Sequence, residues 1–153
     1  MILYLDSSAL VKQYLQESGS AEVKASMAGA AVVVSSVSTL VEVAATIARA
    51  RRAGRMGPAA AEQALEELRF DWVRFIAIAV DARLAERAVS VTWEHALRGY
   101  DAVHLAAALS AQEDLGEPLV LATFDRELSD AAHQASLATL PDDLPAWRAS
   151  PTG

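Results

Sequence analysis

Short apolar runs alternate with helical patterns along this chain, and that alternation restricts the fold more than any other feature. The runs are ILYL (2–5), AVVVS (31–35), VRFIAI (73–78) and PLVLAT (118–123), with a weaker fifth at 137–140. Helical periodicity fills the intervals, at 8–17, 20–29, 37–53, 58–71, 81–97, 101–113 and 125–135, with Gly29, Gly54, Gly57–Pro58 and Gly99 as punctuation. Strands that alternate with helices imply right-handed crossovers. The expected fold is therefore α/β, a three-layer α/β/α arrangement around a mostly parallel sheet of four to five strands. In such a sheet ligands bind beyond the carboxyl ends of the strands, where the strand order reverses.

The chain has 153 residues, 53% of them hydrophobic, which is enough for one core. One domain is expected over residues 1–140. The remainder, PDDLPAWRASPTG (141–153), has three prolines and no period, so it reads as a loosely attached tail. No cysteine is present, so there is no disulfide framework, thiolate metal site or Cys nucleophile. The first apolar run ends at Asp6, unlike a signal peptide, and no run approaches the roughly 20 apolar residues of a membrane span. A cytoplasmic protein with no membrane association is expected.

The net charge of −7 argues against coating nucleic acid by bulk electrostatics, so any such partner has to be bound locally. Arg49, Arg51, Arg52 and Arg55 cluster in ARARRAGR at the end of a helical pattern. They suit a helix C-terminus, a phosphate-contacting patch, or both.

Two acids stand where such a sheet binds ligands. Asp6 closes the first strand and Asp125 follows the fourth, in VLATFDREL, and each precedes a helix, so each can also be an N-cap. Glu42 lies in SVSTLVEVAATIARARR, where Leu40, Val41, Val43, Ala44, Ala45, Ile47 and Ala48 wrap most of the helix in apolar groups. That composition predicts a mostly buried helix. Ser35, Ser38, Glu42, Thr46 and Arg49 step by three or four into one stripe. A buried glutamate needs a partner, which could be Arg49 or an acidic, cation-holding pocket. Asp101 opens a helix in HALRGYDAVHLAAAL, with His104 three residues on; the pair could share a metal, though a packed, hydrogen-bonded histidine is the commoner arrangement. His95 and His133 add nothing.

Four carboxylates at close range raise one another's pKa unless cations hold them. Oxygen donors without cysteine favour Mg²⁺ or Mn²⁺. Such ions support phosphodiester hydrolysis by water, two of them about 4 Å apart in some sites.

MILYLDSSALVKQYLQESGS, the Glu42 helix, LRGYDAVHLAAAL and LATFDREL together resemble a PIN-domain protein of the VapC toxin type, matched in order and spacing over residues 1–140. The resemblance implies a Mg²⁺- or Mn²⁺-dependent endoribonuclease with Asp6, Glu42, Asp101 and Asp125 as both catalytic and metal-ligating residues. It also implies small hydroxyl residues beside the acids, matched by Ser7, Ser8 and Thr123, which would orient carboxylates or water. Ser7 stands where the family usually has Thr. The family further implies a homodimer and a cognate antitoxin whose segment crosses the active-site groove. Arg49, Arg52, Lys12 and Arg126 are candidate phosphate contacts, and Trp72, Trp93 and Tyr100 are aromatic residues that either stack on RNA or pack in the core.

Rival readings fit less well. A receiver domain needs a late strand-end lysine, whereas Lys12 and Lys24 both lie in the first helices; a haloacid-dehalogenase-type phosphatase wants an aspartate where Ser8 stands. There is no P-loop glycine run. The alternative in a different class is a non-catalytic acidic α/β module that binds a partner protein.

Overall fold

The computed structural model describes residues 1–150. Its elements run β1 (Ile2–Leu5), α1 (Ser7–Tyr14), α2 (Ser20–Gly29), β2 (Val32–Ser36), α3 (Val37–Arg52), α4 (Pro58–Trp72), β3 (Ile76–Ile78), α5 (Ala82–His95), α6 (Gly99–Leu115), β4 (Leu119–Ala122), α7 (Arg126–Gln134), β5 (Ala138–Leu140) and α8 (Leu144–Ala149). The sheet has five strands in the order β3-β2-β1-β4-β5, and every pairing is parallel.

β1 lies at the centre, which explains why ILYL has no polar position. Ile2 and Tyr4 enter the core shared with α5, α6 and α7, whereas Leu3 and Leu5 enter the core shared with α1, α3 and α4. A strand covered on both faces reads as a continuous apolar run. From β1 the chain adds β2 and β3 on one side, then returns to add β4 and β5 on the other. The order therefore reverses between β1 and β4, and a crevice opens beyond their carboxyl ends. Asp6 and Asp125 both stand there, one immediately after β1 and the other three residues after β4.

Three local expectations change. Helix α3 is not buried all round: its buried seam is Thr39, Val43, Ile47 and Ala50, while Val41 is 69% exposed and Ala45 and Ala48 are exposed. Apolar composition alone does not force burial of valine and alanine within one chain. The break before Asp101 falls earlier than Gly99, because Ala96 adopts a left-handed conformation (φ 53°) that ends α5, and Gly99 is already the first residue of α6. The third change concerns the tail. Asp143 caps Ala146 N–H and Pro145 sits in the first turn of α8, a helix start hidden in the proline-rich text.

That helix is attached. Leu144 is fully buried, the Trp147 and Phe124 rings meet edge to face at 4.9 Å, and Arg148 donates to the Phe124 carbonyl at 2.6 Å. The prolines stop the pattern from extending but do not prevent docking, so through residue 150 the segment is part of the packed unit; the rest of the expected tail, residues 151–153, lies outside the described residues. Among the described residues no helix is long and apolar enough to cross a membrane. Leu144→Ala should lower the unfolding free energy by about 2–4 kcal/mol, read as a lower urea midpoint with an unchanged slope; an unchanged midpoint would mean that α8 contributes nothing to the fold.

Candidate active site at the ends of the central strands

Asp6 does two things at once. Its Oδ1 accepts from Ala9 N–H at 2.8 Å, which caps α1, and from the Ser8 hydroxyl at 2.8 Å; its Oδ2 accepts from the Thr123 hydroxyl at 2.6 Å. Ser8 also reaches Oδ2 at 2.9 Å, and its oxygen accepts from Phe124 N–H at 2.8 Å. Three donors leave part of a carboxylate's roughly four lone-pair sites open. Capping and ligation are thus compatible. Only 3% of Asp6 is exposed, and burial pushes its carboxyl above the ordinary aspartate range, against the lowering effect of His104, Thr123, Ala9 and Ser8.

Thr123 ties the two strand ends together. While it donates to Asp6, its oxygen accepts from Asp125 N–H at 3.1 Å. Asp125 caps α7 through Leu128 N–H at 3.1 Å with Oδ1, while its Oδ2 accepts from Arg98 Nη2 at 2.9 Å. A compact set forms: one carboxylate oxygen from each of Asp101, Asp125 and Glu127 lies within 4.8 Å of the others. Burial, and then the neighbouring Asp125 charge, raise the Asp101 carboxyl above its ordinary range, with Arg98 opposing. Asp6 and Glu42 are outside that set.

Glu42 joins the crevice through His104. The imidazole is 2% exposed, its Nδ1 lies 3.1 Å from the Tyr4 hydroxyl, and its Nε2 faces Glu42 Oε1 at 3.7 Å. That last separation exceeds a hydrogen bond, and neither atom has another hydrogen-bond partner. The facing imidazole is the main reason why the Glu42 carboxyl is held below the usual glutamate range; Ser7 and Ser38 add to this and burial opposes it. Because His104 also acts on the charges of Asp6 and Asp101, it stands among three of the four sequence-identified acids. The packed histidine is what is found. Arg49 does not pair with Glu42 among the described residues.

The remaining candidates separate. Lys12 turns inward: its side chain is 11% exposed, with its ammonium 3.3 Å from Glu17 and 4.4 Å from the Phe124 ring centroid, so it is not a surface phosphate contact. Arg49 and Arg52 are exposed on α3, and Arg126 lies 3.7 Å from Asp130 on an open face. Trp72 is partly buried and packs with Phe75 against the core, whereas Trp93 and Tyr100 are 87% and 65% exposed and are not core residues. Sequence reasoning missed Glu127 and Arg98. Both had a legible signal, being charged residues two positions after Asp125 and three before Asp101, on the same helical approaches.

The donor set suits a divalent cation. It consists of oxygen atoms alone, three of them already gathered, and the buried Glu42 Oε1 retains unused acceptor capacity. A three-layer α/β domain with acids from four separate elements around one strand-end crevice is the class defined here. Within that class the chain belongs to the PIN domain family, whose sequence pattern matches residues 3–134. It is 36% identical over 148 residues to the ribonucleases VapC45 and VapC49 of Mycobacterium tuberculosis, covering 94% of this chain and 97% of each relative. Among solved structures it resembles PAE2754 from Pyrobaculum aerophilum (TM-score 0.62, 21% identity, 98% and 91% of the two chains). It also resembles Mycobacterium tuberculosis VapC20, a sarcin-ricin loop cleaving toxin (TM-score 0.61, 22% identity, 84% and 94%).

The raised Asp6 carboxyl has a consequence for stability. Above its folded-state pKa, Asp6 is ionised in both folded and unfolded chains and burial is penalised; as pH falls toward the ordinary aspartate value the penalty vanishes. Asp6→Asn, which keeps the cap, should therefore raise the thermal midpoint of the metal-free protein at pH 7 by on the order of a few °C. The gain should shrink toward pH 4, and calorimetry across that range checks it; a variant less stable at pH 7 would contradict the burial argument.

Proposed function

We propose that this protein is a metal-dependent endoribonuclease that hydrolyses RNA phosphodiesters as the toxin of a toxin–antitoxin pair in the cytoplasm. The observation that carries the reading is convergence: Asp6, Glu42, Asp101 and Asp125, drawn from the β1–α1 junction, α3, α6 and the start of α7, surround the same crevice at the sheet's switch point. Asp6, Asp101 and Asp125 would hold a Mg²⁺ or Mn²⁺ ion, with Glu42 completing the shell. A cation held by these residues would supply Lewis-acid chemistry, lowering the pKa of an attacking water and offsetting charge on the phosphate.

The protein's own groups prepare the site. Ser8 and Thr123 fix the Asp6 carboxylate, His104 and then Ser7 draw the Glu42 carboxyl below the usual glutamate range, and Thr123 holds Asp125 at the start of α7. Outer partners of this kind set ligand orientation. Arg49, Arg52 and Arg126 supply exposed cations for RNA phosphates, and Tyr100, next to Asp101, offers an exposed ring on which an unpaired base can stack. Hydrolysis by water leaves a 5′-phosphate and a 3′-hydroxyl.

Partners follow from the same reading: the RNA substrate, a cognate antitoxin lying across the groove, and a second copy of this chain. The exposed apolar positions Val37, Val41, Ala45 and Ala48, which step by four, four and three along α3, support self-association. Val41→Asp should convert a dimer into a monomer by light scattering; an unchanged mass places the contact elsewhere.

For the activity itself, Asp6→Asn and Asp125→Asn should each reduce cleavage of total tRNA and rRNA by more than about 100-fold in saturating Mn²⁺, and Thr123→Val by about 10–100-fold. Chelation should abolish cleavage by the wild type. Intact RNA at every Mg²⁺ or Mn²⁺ concentration would instead favour a non-catalytic binding module.

A further inference from the structure

The three clustered carboxylates already have a cation among them. Arg98, the residue that precedes α6, donates from Nε to Asp101 Oδ2 at 3.0 Å and from Nη2 to Asp125 Oδ2 at 2.9 Å, and its Nε lies 3.5 Å from Glu127 Oε2. One guanidinium thus touches each member of the set whose oxygens are gathered closely enough for a metal ion. The arrangement is local by construction: Arg98 and Asp101 are an i,i+3 pair at the start of α6, and Asp125 and Glu127 meet them from the start of α7.

We infer that Arg98 is a built-in counter-cation that competes with the divalent ion for the Asp101 and Asp125 carboxylates, with Glu127 beside them, and so sets how much metal the site demands. The inference rests on the reading of the crevice as a metal centre. The set carries three negative charges, and Arg98 neutralises one of them while holding the acids in register. A divalent ion bound to the oxygens that Arg98 contacts would face the guanidinium at short range, and two cations that close repel. The guanidinium is the one that can leave. Its side chain is 68% exposed, so it reaches solvent without opening the core, and exposed ion pairs are weakly held. Asp6 is fixed independently by Ser8, Thr123 and Ala9, so the deep side of the crevice does not depend on where Arg98 stands.

Mn²⁺ alone, titrated calorimetrically into the metal-stripped full chain, tests this. Arg98→Met should bind Mn²⁺ several-fold to about tenfold more tightly than wild type, with the advantage fading as ionic strength rises. Arg98→Lys, which keeps the charge but loses the fork, should fall between them, and Arg98→Gln serves as a second neutral variant if Arg98→Met folds poorly. The half-saturating Mn²⁺ concentration for RNA cleavage should fall in parallel with the dissociation constant. Equal or weaker Mn²⁺ binding by the neutral variants would overturn the competition and make Arg98 a scaffold for the acids. Absence of Mn²⁺ binding in wild type and variants alike would remove the metal centre, and this inference with it. Mn²⁺ binding by wild type without RNA cleavage would count against the nuclease reading while leaving the competition standing or falling on the affinities.

Discussion

Everything at the mouth of the sheet depends on keeping one carboxylate, Asp6, at 3% exposure between the two strand ends. An isolated charge there would be prohibitively expensive, so the neighbouring sequence is committed to serving it. Two residues on, Ser8 gives its hydroxyl to both oxygens; Ala9 gives a backbone N–H because α1 begins at once; and Thr123 reaches across from the end of β4. The last contact is the consequential one. It links residues 117 positions apart in the chain and, through Asp125 N–H, fixes the start of α7 as well. A buried acid whose donors come from the start of α1 and the end of β4 thus doubles as a clamp between the two central strand ends.

The legibility of this arrangement in the sequence follows from the same physics. A strand that is apolar at every position and ends on Asp-Ser-Ser declares its burial on both faces and its cap, so β1, α1 and the place of Asp6 could be read directly. The parallel topology followed from alternation alone. What could not be read were relations across the chain or beyond it. Whether Val41 is covered depends on what packs against α3, and periodicity carries no information about that; the exposed face of α3 therefore reads as core. The exposure of Trp93 and Tyr100 is undecidable from the sequence for the same reason, since a large aromatic residue is usually buried but is not obliged to be. Helix α8 was missed because its stability is tertiary: six residues hold only through Leu144, Trp147 and the Arg148 contact with Phe124.

The acidic composition of the chain and an RNA substrate are reconcilable once charge is considered by location. The gathered carboxylates are compensated only in part by Arg98, while Arg49, Arg51 and Arg52 lie in the last turn of α3 and Arg55 just beyond it. A polyanion approaching this surface therefore meets separated regions of opposite sign. Net charge governs long-range steering, but at physiological salt the screening length is about 8 Å, shorter than the domain is wide. Local arrangement then outweighs the total of −7.

Helix α6 ties this electrostatic arrangement to the fold. Its alanines at 102, 106, 107, 108 and 111 are buried, and side chains this small let a helix approach a sheet closely. Close approach is what permits a residue as short as His104 to reach the Tyr4 hydroxyl on β1 and still face Glu42 on α3. Asp101, one turn earlier, then necessarily points to the same end of the sheet, where Arg98 and Asp125 meet it. Bulkier residues at these positions would lift α6 away from β1 and separate the histidine from both partners before altering any acid of the site. The alanine-rich stretch, which reads as mere helix propensity in the sequence, is in the folded chain the spacing that brings Asp101 and Glu42 around one imidazole.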